Sequence, residues 1–250
     1  MTNINNIIIV GDNLLANALY ELSLSKGFQV SLNDLSKGNE ADLVIETENK
    51  DKQRKKQVIQ EIETSIQSNV TILSTSLRLP ATEIASWLDS SNRVVGFGTF
   101  IPLDDVELIE IASALQTDRE HVTKIENLFA SLNIETEEVE DEVGLVFPRI
   151  LAMIINEAAF ALTEKTAVAR DIDEAMKKGT NYPLGPLEWA EKIGIEDVYA
   201  VLQGLFEQLG EDRYRPAPLI RKLIYAGWTG VHTEKGFYHY ERRLRGEVMN

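Results

Sequence analysis

The stretch that decides the fold is Ile7-Ile8-Ile9-Val10-Gly11, which is followed by an amphipathic run from Asn13 to Ser25. Four consecutive β-branched residues are typical of a strand that is buried on both faces of a parallel sheet. The run after the glycine carries leucine and alanine at helical spacing, at positions 14, 15, 18, 19 and 22. A buried strand, a glycine and a helix in this order predict the first βα unit of an α/β domain.

The same alternation continues through the first half of the chain. Further strands are predicted over residues 28–32, 41–46, 70–74, 93–98 and 106–112, and further helices over residues 50–68, 81–88 and 118–132. Strands and helices that alternate in this way predict a Rossmann-type, doubly wound parallel sheet with helices on both faces.

The second half has a different pattern. One long apolar helix is predicted over residues 147–167, and a shorter one over 171–178 that Gly179 ends. The segment Phe237-Tyr238-His239-Tyr240 alternates like a strand. The sequence therefore predicts an α/β domain over residues 1–143 and a helical domain over residues 144–250.

Composition excludes several kinds of function. The formal net charge of −15 disfavours binding to nucleic acid or to an anionic membrane. The absence of cysteine excludes disulfides, thiol catalysis and cysteine-based metal sites, and the three histidines lack the spacing of metal ligands. No run approaches the roughly 18 apolar residues of a membrane span. The start of the chain, MTNINN, has no basic leader, which predicts a cytoplasmic protein.

Several motifs of the second half are those of one known family. They are Asn156-Glu157-Ala158, Asp171-Ile172-Asp173-Glu174-Ala175-Met176, Tyr182-Pro183-Leu184-Gly185-Pro186, Tyr214-Arg215-Pro216-Ala217-Pro218-Leu219 and Gly236-Phe237-Tyr238-His239-Tyr240. With them the chain resembles the NAD-dependent 3-hydroxyacyl-CoA dehydrogenases over nearly its whole length. The resemblance implies oxidation of a 3-hydroxyacyl thioester to its 3-keto form with NAD. It also implies a homodimer that forms through the C-terminal helices.

The predicted nucleotide site begins at the first glycine. In dinucleotide-binding folds Gly11 would allow the tight turn, and the helix N-terminus at Asn13 and Leu14 would face the pyrophosphate. Asp34 lies 23 residues after Gly11, where an acid binds the ribose hydroxyls, and it disfavours a 2′-phosphate. However, Asn13 replaces the second glycine of the G-x-G-x-x-G pattern and Asp12 adds a negative charge. The turn therefore either still binds a dinucleotide or persists only as scaffold.

The resemblance also assigns a pair of charged residues to the cofactor. The segment Ala41-Asp42-Leu43-Val44-Ile45-Glu46 resembles the third-strand motif of the family. In the family its glutamate and a lysine of the next helix lie near the nicotinamide ribose. Glu46 and Lys55 match those two positions.

The catalytic segment departs from the family pattern. The family reads approximately G-x-H-F-F-N-P and then L-V-E, whereas this chain reads Gly96-Phe97-Gly98-Thr99-Phe100-Ile101-Pro102 and then Leu108-Ile109-Glu110. The histidine of the family, which removes the hydroxyl proton, is Gly98 here, and a glycine has no proton acceptor. Glu110 matches the carboxylate that orients this histidine. It is expected either to remain without a partner or to act as a base itself.

Other positions of the predicted site differ as well. The family's asparagine before Arg149 is Pro148, which removes an amide near the substrate. Seven residues separate Asp34 from Asp42, where the family has a long helical excursion that helps to hold CoA. Ser76, in a shortened turn after the fourth strand, is the remaining candidate for a contact to the substrate hydroxyl.

None of the three histidines is predicted to replace the missing base. His121 lies in a charged helical run and is expected at the surface, His239 lies in the strand-like tail, and His232 falls where the family is usually basic.

Three functional hypotheses follow from the sequence. The first is a divergent 3-hydroxyacyl-CoA dehydrogenase that still catalyses the family's reaction. The second is another NAD(P)-dependent oxidoreductase that acts on a smaller substrate, such as a small hydroxy acid, with Glu110, a water or another acid as base. The third is a non-catalytic member that binds a nucleotide or an acyl-CoA, or that serves as a subunit of an assembly. The third is favoured because the glycine loop, the base, the amide and the CoA-binding excursion are altered together.

Overall fold

The computed structural model describes residues 4–104 and 106–244. The chain forms two compact units, residues 1–147 and residues 148–250. The sequence places the boundary near residue 143.

The first unit is an α/β domain. Its strands and α-helices are, in chain order, β1 (Asn6–Val10), α1 (Leu14–Ser25), β2 (Gln29–Leu32), β3 (Leu43–Glu46), α2 (Lys52–Ser65), β4 (Thr71–Thr75), α3 (Ala81–Ala85), β5 (Val94–Gly98), β6 (Leu108–Ser113), α4 (Arg119–Ser131) and β7 (Glu135–Glu138). Short 3-10 helices cover Leu35–Glu40 and Ser91–Arg93.

All seven of these strands form one sheet in the order β2-β1-β3-β4-β5-β6-β7. Neighbouring strands are parallel except β5 and β6, which are antiparallel. The predicted doubly wound parallel sheet is confirmed, with β5 and β6 as the one pair of these strands that is not parallel. Residues 99–107 join the two strands, and a parallel crossover needs a dozen or more residues.

The side chains of β1 explain why its sequence is apolar throughout. Ile7 and Ile9 pack in a core that includes residues of α1 and α4. Ile8 and Val10 pack in a second core that includes residues of α2 and α3. Because successive residues of a strand point to opposite faces, a strand covered on both faces needs apolar residues at every position.

The last strand of the sheet was not predicted from the sequence. β7 consists of Glu135-Thr136-Glu137-Glu138, which has no apolar alternation. It pairs with β6 at the edge of the sheet. Acidic side chains on an edge strand disfavour pairing with the edge of another chain. The polar composition that makes β7 hard to predict from periodicity therefore also disfavours aggregation through this edge.

The second unit is helical. Its helices are α5 (Phe147–Thr163), which starts at the last residue of the first unit, α6 (Ala169–Thr180), α7 (Pro186–Ile193), α8 (Ile195–Leu209), α9 (Pro218–Tyr225) and α10 (Phe237–Leu244), with 3-10 helices at Asp212–Tyr214 and Val231–Thr233. Two details correct the sequence predictions. The tail at residues 237–240 is the start of α10 and not a strand. Phe237 is buried, whereas residues 238–240 are partly exposed. α6 continues past Gly179 to Thr180, and its C-cap is Asn181, whose φ of 60° is left-handed.

Two polar residues of the C-terminal motifs hold this unit together. Asn156 Oδ1 accepts the Ala217 N–H at 2.8 Å, and its Nδ2 donates to the Arg215 carbonyl at 3.0 Å. The Asp173 carboxylate accepts the N–H groups of Leu187 and Glu188, which begin α7. Buried backbone groups need hydrogen-bond partners, and Asn156 and Asp173 supply them. The structure of the helical unit therefore explains why its motifs contain these two residues.

His121 is buried, although the sequence predicts it at the surface. It lies on the inner face of α4, and its Nδ1 is 2.7 Å from Thr71 Oγ1. Burial lowers the pKa of the imidazole below its ordinary value of 6.5, and the charges of Lys124 and Arg93 act in the same direction. The nearby carboxylates of Glu120 and Asp118 oppose this effect only partly.

This burial predicts a pH-dependent stability. Above pH 6.5, the ordinary pKa of histidine, His121 is neutral in both the folded and the unfolded state. Its burial then does not make the free energy of unfolding depend on pH. As the pH falls below that value, the unfolded chain gains a proton that the folded one resists, so stability falls until the folded pKa is reached. The His121→Gln variant keeps a hydrogen-bonding group toward Thr71 and is expected to lose less stability than wild type between about pH 6.5 and 5. Urea unfolding at several pH values would measure this, and parallel curves for the two proteins would contradict it.

Candidate functional site

The turn between β1 and α1 lies where the predicted nucleotide site begins. A Cβ on Gly11 would stand 2.0 Å from Thr47 Oγ1, so only glycine fits there. Asn13 is the N-cap of α1, because its Oδ1 accepts the Ala16 N–H at 2.9 Å. The same oxygen accepts the Thr47 hydroxyl at 3.0 Å, and the Asn13 amide donates to the Thr47 carbonyl. The residue that replaces the second glycine is therefore bonded to the chain just after β3, and Leu14 is the first residue of the helix.

The acid predicted for the ribose hydroxyls lies just beyond the end of β2. Asp34 is the N-cap of the 3-10 helix Leu35–Glu40, since Oδ1 accepts from both the amide and the hydroxyl of Ser36. The hydrogen bond from the Ser36 hydroxyl is the main cause of its lowered pKa, and Lys37, at 3.6 Å, adds to it. Its side chain is 42% exposed, so the carboxylate remains accessible to a hydroxyl donor.

A cleft of about 220 Å³ opens beside this turn. Its lining residues come from the ends of β1, β2 and β3 and from the first half of α2, and they are Val10, Gly11, Asp12, Asn33, Glu48, Arg54 and Val58. β1 lies between β2 and β3, so the strand order reverses here. In open α/β sheets, ligands bind outside the carboxyl ends of the strands at such a point.

Three polar residues of the cleft, Asn33, Glu48 and Arg54, were not predicted from the sequence. Asn33 makes two hydrogen bonds to the backbone of Gly11. The Asn33-Asp34 pair directly after a strand was a signal for it, because asparagine tolerates the left-handed backbone of a turn. The Arg54 Nε lies 3.3 Å from Glu48 Oε2, and the arginine side chain is 63% exposed. No pattern in the sequence indicated Arg54 or Glu48 as a binding residue, because both lie in a stretch that contains many other charged residues.

The structure brings Glu46 and Lys55 together. Lys55 Nζ is 2.6 Å from Glu46 Oε2, and both side chains are almost fully buried. The ammonium group also donates to the Glu48 carbonyl at 2.9 Å and to Thr75 Oγ1 at 3.1 Å, while the Ser74 hydroxyl donates to Glu46 at 2.6 Å. The pair is therefore part of the hydrogen-bonded interior at the ends of β3 and β4. Its contact with a nicotinamide ribose stays a prediction.

Gly98, the position that the family resemblance assigns to a histidine, lies close to the side chain of Leu145. Gly98 and Glu110 are opposite each other in the antiparallel pair β5–β6. A Cβ on Gly98 would stand 3.0 Å from Leu145 Cδ1 and 3.2 Å from its Cγ. Leu145 is buried and has a φ of 50°. A side chain at position 98 would therefore be in tight contact with Leu145, and no local pattern of the sequence indicates this contact.

Glu110 has partners of its own, which corrects the expectation that it remains without one. Its Oε2 accepts the Val146 N–H at 2.7 Å and its Oε1 accepts the Phe147 N–H at 2.8 Å. The carboxylate is 7% exposed. It therefore fixes the last two residues of the first unit.

Ser76, the predicted substrate contact, is fully buried. A Cβ on Gly96 would stand 2.3 Å from its Oγ, and this hydroxyl has no hydrogen-bond partner among the described residues. The Ser76 backbone bonds to the Phe97 carbonyl and the Gly144 N–H. A role toward substrate stays a prediction that would need this hydroxyl to become accessible.

The other two histidines lie in the second unit. His232 Nε2 is 3.0 Å from Thr229 Oγ1 and 3.4 Å from Glu196 Oε1, and the His239 ring packs edge-on against Trp228. Over residues 4–104 and 106–244, no cluster of His, Asp and Glu side chains has the arrangement of a metal site. In the same part of the chain no helix combines the length and apolar character needed to cross a bilayer.

Comparison with known proteins decides the family. Residues 29–142 match the NAD binding domain of 3-hydroxyacyl-CoA dehydrogenase, and residues 144–240 match its C-terminal domain. The "Probable 3-hydroxybutyryl-CoA dehydrogenase" of Bacillus subtilis is 34% identical over 209 residues, which cover 84% of this chain and 73% of the relative. The chain belongs to the 3-hydroxyacyl-CoA dehydrogenase family.

Other family members agree with this assignment. The 3-hydroxybutyryl-CoA dehydrogenase of Bradyrhizobium diazoefficiens is 33% identical, over 84% of this chain and 70% of that protein. The crystal structure of (S)-3-hydroxybutyryl-CoA dehydrogenase from Ralstonia eutropha superimposes with a TM-score of 0.79 at 26% identity, covering 94% of this chain and 98% of that one. The protein is thus a 3-hydroxyacyl-CoA dehydrogenase-like member of the NAD-dependent oxidoreductases.

NAD is the cofactor of this family's first domain, and residues at the cleft and next to it fit its diphosphate and adenosine ribose. Gly11 leaves the end of β1 without a Cβ, the N-terminus of α1 follows it, and Asp34 presents an accessible carboxylate near the end of β2. A helix N-terminus favours phosphate, and a carboxylate favours ribose hydroxyls. Bound NAD supplies a hydride acceptor to such a site.

Proposed function

We propose that this member of the family keeps its dinucleotide and has lost most or all of the dehydrogenation of 3-hydroxyacyl-CoA. The observation that carries the proposal is Gly98, which has no proton acceptor and at which even a Cβ would stand 3.0 Å from Leu145 Cδ1. Oxidation of a hydroxyl needs a base for its proton, and the residue at position 98 would have supplied it. General base catalysis contributes about 10²–10⁴-fold to a rate, so its loss reduces turnover by a comparable factor.

Glu110 is a poor substitute for the missing base. Each of its oxygens already accepts a backbone N–H, from Val146 and from Phe147. Taking a proton from a substrate would neutralise this buried carboxylate and so weaken the two charge-assisted hydrogen bonds that order the end of the first unit. This disfavours the alternative of an oxidoreductase that acts on a smaller hydroxy acid with Glu110 as base. The same hydrogen bonds of Glu110 favour a family member that binds a nucleotide or an acyl-CoA and catalyses little or no reaction. A role of this protein in fatty acid metabolism would then depend on binding and not on catalysis.

Binding and turnover measured on the same sample test this proposal. NAD and NADH are each expected to raise the melting temperature, because a ligand at 100 times its dissociation constant adds about 2.7 kcal/mol. NADH oxidation with acetoacetyl-CoA is expected to stay near background. The Glu110→Gln variant is expected to be less stable than wild type, with no change in this low rate. Turnover at the rate of a histidine-containing relative would refute the proposal, and the absence of any shift with NAD or NADH would refute its binding part.

We further propose a homodimer that forms through α5, as the family resemblance implies. The outer face of this helix carries Ile150, which is 55% exposed, together with Met153 and Ile154. An open cleft of about 480 Å³ lies along it and is also lined by Arg149, Glu157, Arg213 and Tyr214. An apolar stripe with charges at its rim is typical of a protein–protein interface.

The charges on this face suit a two-fold arrangement. Met153 lies midway between Arg149 and Glu157 along α5. When two copies of α5 cross antiparallel at Met153, each Arg149 lies opposite Glu157 of the partner copy. A two-fold interface repeats every contact twice, so each dimer contains this ion pair twice.

Charge reversal tests the dimer. The Glu157→Arg variant would place like charges together twice, which is expected to raise the dimer dissociation constant at least about tenfold. Adding Arg149→Glu in the same chain restores opposite charges and is expected to recover most of the affinity. Arg221→Glu, on an exposed position of α9, serves as the control and is expected to have no effect. Sedimentation equilibrium measures each constant, and a monomeric wild type or a double variant no better than Glu157→Arg would contradict the interface.

A further inference from the structure

One side chain holds both peptide groups of Gly11. Asn33 Oδ1 accepts the Gly11 N–H at 2.9 Å, and Asn33 Nδ2 donates to the Gly11 carbonyl at 2.9 Å. These backbone atoms belong to the two peptide planes on either side of the Gly11 Cα. A single carboxamide therefore restrains both φ and ψ of the residue type that loses the most conformational freedom when it becomes ordered.

Asn33 is itself well placed to do this. It directly follows β2, and its N–H donates to the Ile9 carbonyl of β1 at 2.8 Å. Its φ of 54° is left-handed, a conformation that asparagine adopts more readily than most residues. The carboxamide thus extends from the end of one strand to the end of its neighbour.

A second asparagine restrains the same turn from the other side. Asn13 bonds to Ala16 and Thr47, which ties the start of α1 to the end of β3. In dinucleotide-binding turns the second glycine lets the backbone approach the phosphates, and Asn13 has taken that position. The turn is therefore held from β2 by Asn33 and from β3 by Asn13.

We propose that Asn33 is a positioning residue for the dinucleotide. Gly11 and Asn33 both line the cleft at the switch point of the sheet, and the N-terminus of α1, where a diphosphate binds in such folds, follows Gly11. The carboxamide fixes the backbone of Gly11 before the dinucleotide binds. Binding then does not have to include the loss of conformational entropy that ordering Gly11 would require. This inference rests on NAD binding in this cleft, which is part of the proposed function.

The test is the affinity of purified full-length variants for NADH, measured by titration of its fluorescence. Asn33→Gly removes the carboxamide, while glycine keeps the left-handed backbone without strain. The NADH dissociation constant is expected to rise roughly tenfold, the factor that corresponds to 1.4 kcal/mol. Asn33→Asp is a second variant that can accept the Gly11 N–H but cannot donate to its carbonyl, and at least the same loss is expected. Asn133→Gly is the matched control, because Asn133 also has a left-handed φ, of 62°, and is not a cleft residue.

The titrations are made at a temperature at which melting curves show that every variant is folded. They therefore distinguish a role of Asn33 in positioning the dinucleotide from a role in stabilising the fold. A residue that only stabilises the fold would lower the melting temperature of Asn33→Gly and leave the dissociation constant unchanged, and that result would overturn the inference while NAD binding stands. A wild type that binds no NADH would overturn the inference and the binding part of the proposed function together. A weakened Asn33→Gly beside an unchanged Asn133→Gly would support it.

Discussion

In NADH oxidation with acetoacetyl-CoA, this protein is expected to be slower by about 10²–10⁴-fold than a family member that has the histidine. Introducing the histidine alone is expected to recover little of that rate. The Cβ of Gly98→His would already lie 3.0 Å from Leu145 Cδ1 and 3.2 Å from its Cγ, so the Leu145 side chain would have to shift to accept the larger residue. The double variant Gly98→His/Leu145→Gly provides the space, and the φ of 50° at position 145 suits a glycine.

The double variant is expected to exceed wild type by at least about tenfold, which is part of the general-base contribution. Glu110 lies opposite position 98 in the sheet, and its carboxylate oxygens have lone pairs left to orient an imidazole. Leu145→Gly alone is the control, since it opens the same space without supplying a base. Full recovery by Gly98→His alone would show that Leu145 is no obstacle. A brisk wild-type rate would show that a base other than residue 98 operates.

Replacement of Lys55 by methionine is expected to have the largest effect on stability. It would leave the Glu46 carboxylate, which has no exposed surface, without its cation. Breaking a buried ion pair by removing one partner costs about 3–5 kcal/mol. For a protein of this size that corresponds to a drop of roughly 10 °C in melting temperature. The loss of hydrogen bonds to Glu48 and Thr75 acts in the same direction.

Two further variants make this prediction specific to the buried pair. Glu46→Gln/Lys55→Met removes the uncompensated charge and is expected to be more stable than Lys55→Met. Lys37→Met removes the cation of the exposed pair with Asp34 and is expected to leave the melting temperature unchanged, because water screens such pairs. Calorimetry would measure all three. A Lys55→Met protein that melts like wild type would contradict the role of this pair.

The order of elements was predictable because local periodicity reports burial directly. The apolar run of β1, the helical spacing in α1 and the change to helical periodicity in the second half each appear in the structure as predicted. β7 was missed because its four residues are polar, and the antiparallel pairing of β6 was missed because strand direction depends on the length of a connection. His121 was misplaced because a charged stretch of helix still has one face that packs on the sheet.

The candidate site divides in a similar way. Spacing along the βα pattern predicted Gly11 and Asp34, and the family resemblance predicted Glu46 and Lys55. A contact of these residues with the cofactor stays a prediction. Asn33, Arg54 and Leu145 were not found, because their importance comes from neighbours that are distant in sequence. Asn33 contacts Gly11 across 22 residues, and the Glu110 carboxylate meets Phe147 across 37.

The sequence by itself determined the family, the two-part organisation and the glycine at position 98, because each depends on residue identity in a local pattern. Only the tertiary structure decided that Leu145 packs close to Gly98, that Glu110 accepts two backbone N–H groups, and that Asn33 restrains Gly11. The physical reason is that packing and hydrogen bonding act between atoms that are close in space. Folding brings such atoms together from positions whose spacing along the chain carries no regular signal.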